Sequence, residues 1–170
     1  LASGLGASAA FDSRGWLWAV YKEEGYVILR HSENLGGSWS SPRPVNSVPE
    51  PIDADGDSRP KIAFGPEDEL YVTWTKPLKK LYTGDIRFSR STDGAKTFSD
   101  PVTVNTDRQE ITHRFDAVTV NRDGKVFIVW LDKRDQVANA KRNGKASAYR
   151  GAAVYFAVSD DQGTSFRGNH

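Results

Sequence analysis

"SDDQGTSF", Ser159–Phe166, is the stretch that decides the fold. Two weaker copies stand upstream: "SENLGGSW", Ser32–Trp39, and "STDGAKTF", Ser91–Phe98. Aligned, they share a serine (Ser32, Ser91, Ser159), then Asn34, Asp93 or Asp161, then Gly36, Ala95 or Gly163. A hydroxyl follows (Ser38, Thr97, Ser165), and then an aromatic (Trp39, Phe98, Phe166). Each part has a physical task. The Asp or Asn side chain hydrogen-bonds its own backbone and closes a tight turn. Glycine enters a conformation that a Cβ disfavours. The aromatic folds back as a large apolar plug, so burial of Trp39, Phe98 and Phe166 under their own turns is expected. Ala95 departs from the pattern and predicts a strained or differently closed middle turn. The motif reads as a stapled hairpin turn and not as a catalytic device.

The same strand signals precede each copy. "ASAAF" and "WLWAVY" lead to the first, "RPKIAF" and "LYVTW" to the second, "FDAVTV" and "VFIVW" to the third. A third strand runs into each turn ("YVILRHS", "DIRFSRS", "AVYFAVS"), and a short fourth follows the first two ("SSPRPVN", "SDPVTVN"). These runs are rich in Val, Ile, Tyr, Phe and Trp with turn residues between them, which reads as antiparallel strands. No segment shows a sustained helical period of apolar residues. Repeated four-stranded units of this length predict an all-β chain built from β-propeller blades. A β-sandwich also uses short strands, but it does not repeat one turn motif at one strand junction three times. The units fall at about residues 6–47, 58–106 and 113–170, so residues 1–170 form a partial propeller of about three blades, the third expected to lack its outer strand after Phe166.

Composition narrows the function classes. The chain has 170 residues, with 23 basic and 22 acidic side chains and a net charge of +1. That balance offers no electrostatic footprint for nucleic acid or an anionic membrane. There is no cysteine, hence no disulfide framework and no thiolate site. No apolar run reaches membrane-spanning length. The chain has no methionine and opens "LASGLGAS", which reads as a mature or truncated chain without its translation start.

The turns and the strand order resemble the Asp-box, or BNR-repeat, proteins of the sialidase superfamily, and the resemblance covers nearly the whole chain. It implies a six-bladed propeller of which this chain is about half, together with a secreted or periplasmic setting. An open half would leave exposed edges and blade faces, a liability for aggregation. The missing half of the propeller, either further sequence or an associated second half, is therefore an expected partner.

Antiparallel order places the start of each first strand and the end of each second strand at one rim, and the repeated turns at the other. Loops at the first rim differ greatly: "KEEG", "TKPLKKLYTGD" and "LDKRDQVANAKRNGKASAYRG". Such length variation on a rigid scaffold is where binding usually resides. In the third unit, "HRFDAVTVNRDGKVFIVWLDKRD" resembles the opening sialidase blade. On that match Arg114 takes the place of the first substrate-binding arginine, and Asp132 and Arg134 take the family's D-x-R positions, shifted by one residue. Strand direction puts the three in one cluster. A guanidinium suits a carboxylate because it offers two parallel charge-assisted hydrogen bonds and keeps its proton. Asp116 stands where the family has proline and is expected to neutralise Arg114. Asp135 is the nearest match to the family's acid/base aspartate. Arg59 lies on the same rim of the second unit, where a loop salt bridge is the plainer role, and Asp132–Arg134 also reads as a rim ion pair. The family's nucleophilic tyrosine and its glutamate partner have no match; Tyr149 in the long loop is an exposed-loop tyrosine first.

Other motifs fail. "DADGDS", Asp53–Ser58, has its glycine fourth rather than sixth and Phe64 where a calcium loop has glutamate, so a solvated turn is expected. His31, His113 and His170 share no metal-ligand spacing, and "KRNGK" reads as a solvated basic tip. No metal or cofactor is expected. Two functional readings stay open. One is a propeller that acts on or binds glycans or an extracellular protein through its channel rim. The other is a retaining exo-sialidase, a glycoside hydrolase whose remaining catalytic residues lie outside this chain.

Overall fold

The structure is a computed structural model describing residues 6–143 and 151–169; His170, Tyr149 and the last two residues of the "KRNGK" tip, Gly144 and Lys145, lie outside them. The described residues form three separate four-stranded antiparallel sheets, each a meander in chain order. The first holds β1 (Ala7–Phe11), β2 (Leu17–Glu23), β3 (Tyr26–Ser32) and β4 (Arg43–Pro44). The second holds β5 (Lys61–Phe64), β6 (Leu70–Pro77), β7 (Gly84–Ser91) and β8 (Val102–Thr103). The third holds β9 (His113–Val120), β10 (Val126–Asp132), β11 (Ala153–Ser159) and β12 (Arg167–Gly168). The first strands β1, β5 and β9 lie beside one another in space without pairing.

Side-chain alternation gives each second and third strand two faces, and both faces of the middle sheet are buried. One core lies between the first two sheets, with Trp18, Val20, Val27 and Leu29 against Leu70, Val72 and Trp74. The other lies between the second and third, with Tyr71, Ile86 and Phe88 against Val126, Ile128, Trp130 and Ala157. Buried indole N–H groups find carboxylates: Trp18 donates to Asp12 at 3.1 Å, Trp74 to Glu50 at 2.8 Å and Trp130 to Asp132 at 2.9 Å. A buried donor left unpaired would cost about 1–3 kcal/mol.

The three repeated turns close by one scheme. The serine Oγ donates to the Asn or Asp side chain at 2.9, 2.8 and 2.6 Å, and accepts the backbone N–H of Gly36, Ala95 or Gly163. The carboxylates of Asp93 and Asp161 also accept the hydroxyls of Thr97 and Ser165, both at 2.6 Å. Asn34 reverses that bond and donates to Ser38 at 3.0 Å. Two consecutive residues are left-handed in every copy: Leu35 and Gly36, Gly94 and Ala95, Gln162 and Gly163. The middle turn is therefore strained, at Ala95 with φ 63°, but it is not closed differently; its glycine sits one place earlier.

Three expectations are corrected. The turn aromatics are not buried beneath their own turns. Trp39 is 37% exposed, and Phe98 and Phe166 are half-buried. Phe98 and Phe166 project onto the preceding sheet: Phe98 packs on the core between sheets one and two, and Phe166 meets Phe88 edge-on at 4.8 Å. The third sheet does possess an outer strand, because two residues suffice here as in β4 and β8, and Arg167 and Gly168 pair with Val158 and Ala157. Finally, the loop after β10 contains a helix, α1 (Arg134–Asn143). It forms without an apolar stripe: Ala138, Ala140 and the long polar side chains are good helix formers, with Asp135 in the first turn and Lys141 and Arg142 in the last, complementing the helix dipole.

Candidate functional site

The β5–β6 turn (Pro66, Glu67, Glu69), the β9–β10 turn (Asp123, Gly124) and the third repeated turn (Asp160–Gln162) line one recess, so these turns share a rim. The opposite rim carries a second recess of about 400 Å³. The end of β2 supplies Lys22 to it, the crossing segment before β5 supplies Asp53, and the β6–β7 loop supplies Lys79, Lys80 and Tyr82; Arg114 of β9 completes it.

Arg114 reaches this place through a β-bulge. Val129 pairs with Ala117 and Leu131 with Arg114, so Phe115 and Asp116 together oppose Trp130. A bulge re-aims the side chains beside it. Phe115 takes φ 59° and stays 42% exposed; Tyr82 takes φ 61° and is 66% exposed. Bulky residues held in the left-handed region are strained, and such strain gathers at functional positions. The Arg114 guanidinium carbon lies 5.0 Å from the Phe115 ring and 5.7 Å from the Tyr82 ring, within cation–π range. One Arg114 nitrogen donates to Asp53. Asp53 is itself fixed, its N–H donating to the Thr75 carbonyl at 2.9 Å. The fork of a guanidinium has five donors, so the ion pair orients Arg114 while leaving donors for a ligand.

Asp116 is not the neutralising partner of Arg114. It is 1% exposed and accepts from Thr75 at 3.2 Å, whereas Arg114 pairs with Asp53. Burial pushes its carboxyl above the ordinary aspartate range, against the opposing pull of Lys61 and Thr75.

The expected single cluster of Arg114, Asp132 and Arg134 is split by strand alternation. Leu131 is the register partner of Arg114, whereas Asp132 faces His113. Asp132 is fully buried and receives Arg134 through Nε at 2.9 Å and through the terminal nitrogen at 2.7 Å, with Trp130 adding a third donor. Burial alone would raise its carboxyl, but Arg134 and the other donors outweigh it and hold it below the usual range. Arg134 also stacks over Tyr155 at 4.1 Å. His113 is buried beside this pair, with Nε2 3.6 Å from Asp132 and Nδ1 2.8 Å from the Gly84 carbonyl, so it ties the second sheet to the third. Asp135 accepts the Tyr155 hydroxyl at 3.0 Å, and Arg59 pairs with Asp57 at 3.0 Å within its own loop. Of the five candidates, Arg114 lines the recess, while Arg59, Asp132, Arg134 and Asp135 stand outside its lining.

Sequence reasoning missed Asp53, Phe115 and Tyr82. Asp53 lay within the rejected calcium-like stretch, and the length of "TKPLKKLYTGD" was the one signal for Tyr82. Nothing in the spacing betrayed the bulge at Phe115. Among the described residues no cluster of three or more His, Asp or Glu side chains is set to hold a metal ion, and no helix is long and apolar enough to cross a membrane.

No protein-family model and no curated protein sequence matches this chain. Solved structures do resemble it. A Penicillium chrysogenum α-L-arabinanase complexed with arabinobiose matches with a TM-score of 0.63 at 17% identity, covering 96% of this chain and 47% of that one. A Hadza microbial sialidase matches with a TM-score of 0.58 at 15% identity, covering 96% and 37%. A polysaccharide lyase, an ulvan lyase, matches with a TM-score of 0.57 at 11% identity, covering 94% and 36%. The chain thus spans about a third to a half of these three structures. At these identities the likeness is one of fold, and three different glycan chemistries sit on it. With three four-stranded sheets set side by side and these structural relatives, the chain has the fold of sialidase- and arabinanase-type β-propellers, and its sheets are three blades of such a propeller.

Proposed function

We propose that this chain is part of a glycan-acting propeller and binds an anionic glycan in the recess around Arg114. The observation that carries the reading is Arg114 itself. It is oriented by Asp53 and flanked by the exposed rings of Phe115 and Tyr82. Aromatic faces suit the C–H faces of a sugar ring, and the free guanidinium donors suit its carboxylate. Lys22, Lys79 and Lys80 bias the recess toward an anion. A glycan ligand fits a secreted or periplasmic protein. Asp132 and Arg134 act in this reading as the tie that holds the rim.

The test is calorimetric titration with a sialoside and with its neutral galactoside counterpart. Arg114→Ala is expected to weaken sialoside binding by at least about tenfold and to leave any galactoside binding unchanged, since a charge-assisted contact is worth about 1.5–3 kcal/mol. Equal sialoside binding by Arg114→Ala and the unaltered chain would overturn the reading.

The exo-sialidase alternative uses the same Arg114. It also requires a proton donor and a nucleophile on opposite sides of the scissile bond. The carboxyl groups of the recess are Asp53, already committed to Arg114, and Asp55. Residues 1–170 are therefore expected not to hydrolyse a fluorogenic sialoside; turnover abolished by Arg114→Ala would favour the hydrolase.

A further inference from the structure

Arg114 serves the recess only when its guanidinium is aimed, and two constraints aim it. One is the backbone of the β9 bulge, where Phe115 sits at φ 59°. The other is the carboxylate of Asp53, 61 residues away in the chain. Both lead to Thr75 of β6. Thr75 is 0% exposed, and its carbonyl accepts the Asp53 N–H at 2.9 Å. Its hydroxyl donates at 3.2 Å to Asp116, the residue next to Phe115 in the bulge. A ring therefore closes. It runs from Arg114 to Asp53, from Asp53 to Thr75, from Thr75 to Asp116, and through the bulge back to Arg114.

Burying a carboxyl is costly, and Asp116 recovers little of that cost. Among the described residues it takes part in no ion pair. Its Oδ2 is buried without a hydrogen-bond partner. Lys61, whose charge acts on it, donates instead to the carbonyls of Asp57 and Arg59 at 2.6 and 2.9 Å. The Thr73 hydroxyl stands beside the same carboxyl without the geometry of a hydrogen bond. Buried polar groups left partly unpaired reduce stability, and apolar side chains of similar volume often fill such places at lower cost. Stability is thus a poor account of this carboxyl. What it supplies is direction. An apolar contact has none, and a left-handed backbone at a bulky residue persists only where its surroundings over-determine it.

We infer that Asp116 is a positioning residue for Arg114. It is itself too buried to meet a ligand. The hydrogen bond that it accepts from Thr75 pins the bulge to the same residue that holds Asp53, so both constraints on the guanidinium share one anchor. The inference rests on Arg114 being the ligand-binding group of the recess.

The test compares Thr75→Val, Asp116→Ala and Asp116→Asn in residues 1–170. Thr75→Val keeps nearly the same shape and the carbonyl that holds Asp53, and removes the hydroxyl. Asp116→Asn keeps an acceptor for Thr75 and offers an amide donor to Thr73. The first readout needs no ligand: nitrogen-15 relaxation of the Arg114 Nε–H group. Its order parameter should fall in Thr75→Val and Asp116→Ala and hold in Asp116→Asn. The second readout is sialoside affinity by calorimetry. Thr75→Val and Asp116→Ala should bind about three- to tenfold more weakly, the penalty of re-ordering one long side chain on binding, while Asp116→Asn should match the unaltered chain. In an Arg114→Ala background, Asp116→Ala should change the affinity no further, which a general loss of packing would not reproduce. Equal sialoside binding by Arg114→Ala and the unaltered chain would sink the reading of the recess and leave the relaxation result to decide the role of Asp116. An order parameter unmoved in both Thr75→Val and Asp116→Ala, or a fall in Asp116→Asn as large as in Asp116→Ala, would overturn the inference. So would unchanged affinity in those two variants where Arg114→Ala does weaken binding.

Discussion

At the scale of single residues, the repeated turns separate two things that a glycine supplies: freedom of backbone and absence of volume. Gly163 needs both, because φ is 80° and the Phe88 ring occupies the space of a side chain. Gly36 needs only the first, with φ 92° and open surroundings. Gly163→Ala is therefore expected to cost about 3 kcal/mol, combining left-handed strain of about 1–2 kcal/mol with overpacking of about 1–3 kcal/mol. Gly36→Ala should cost only the strain, about 1 kcal/mol. Urea midpoints of the two variants check this, and equal losses would contradict it. The turn carboxylates give a second residue-scale expectation. The Thr97 hydroxyl and backbone hold Asp93, and the Ser159 and Ser165 hydroxyls hold Asp161, well below the ordinary aspartate range. A lowered folded value means that their contribution is fully present above the unfolded value of about 3.9 and is lost as pH falls below it. The double variant Asp93→Asn/Asp161→Asn, imitating Asn34, should flatten the acid limb of a stability-versus-pH profile. An unaltered acid limb would show that the carboxylates contribute nothing there.

At the scale of elements, the W-x-D-x-R stretch at the end of β10 acts as a clasp. Trp130 fills the core below, Asp132 is buried above it, and Arg134 at the start of α1 neutralises the carboxylate. Removing one member of a buried pair strands the other, at about 3–5 kcal/mol. Arg134 keeps 18% of its side chain exposed, so Arg134→Ala is expected at the low end, about 3 kcal/mol, measured by denaturant unfolding. Lysine should restore only part of this, since it lacks the planar fork. A loss below about 1 kcal/mol would mean that water serves Asp132 as well as Arg134 does. The neighbouring Asp135–Tyr155 bond belongs to the same local framework.

At the scale of the whole molecule, the two recesses differ in charge. Acidic side chains dominate the recess among the repeated turns: Glu67, Glu69, Asp123, Asp160 and Asp161. The other recess carries Lys22, Lys79, Lys80 and Arg114 against Asp53 and Asp55. If the proposed ligand is anionic and bound at the second recess, its affinity should fall several-fold between about 0.05 M and about 0.5 M salt, as screening shortens the reach of these charges. Titration at a series of ionic strengths checks it, and a salt-independent affinity would point to ring contacts with Phe115 and Tyr82 alone.

What the sequence determined by itself was everything with a short period. Serine, carboxylate, glycine, hydroxyl and aromatic within eight residues specify a turn from local hydrogen bonds alone, and three such turns at one strand junction imply blades. The rim assignment follows from antiparallel order. The tertiary structure decided what depends on residues far apart in the chain. Asp53 and Arg114 meet because the segment before β5 crosses the rim, and Arg114 parts from Asp132 because neighbouring residues of a strand face opposite sides. Phe98 and Phe166 bury themselves on the preceding blade, a surface that their own turns do not contain. Turn closure is an energy between neighbours in sequence, whereas a binding recess is an energy between neighbours in space, and only the packing of blades makes those coincide.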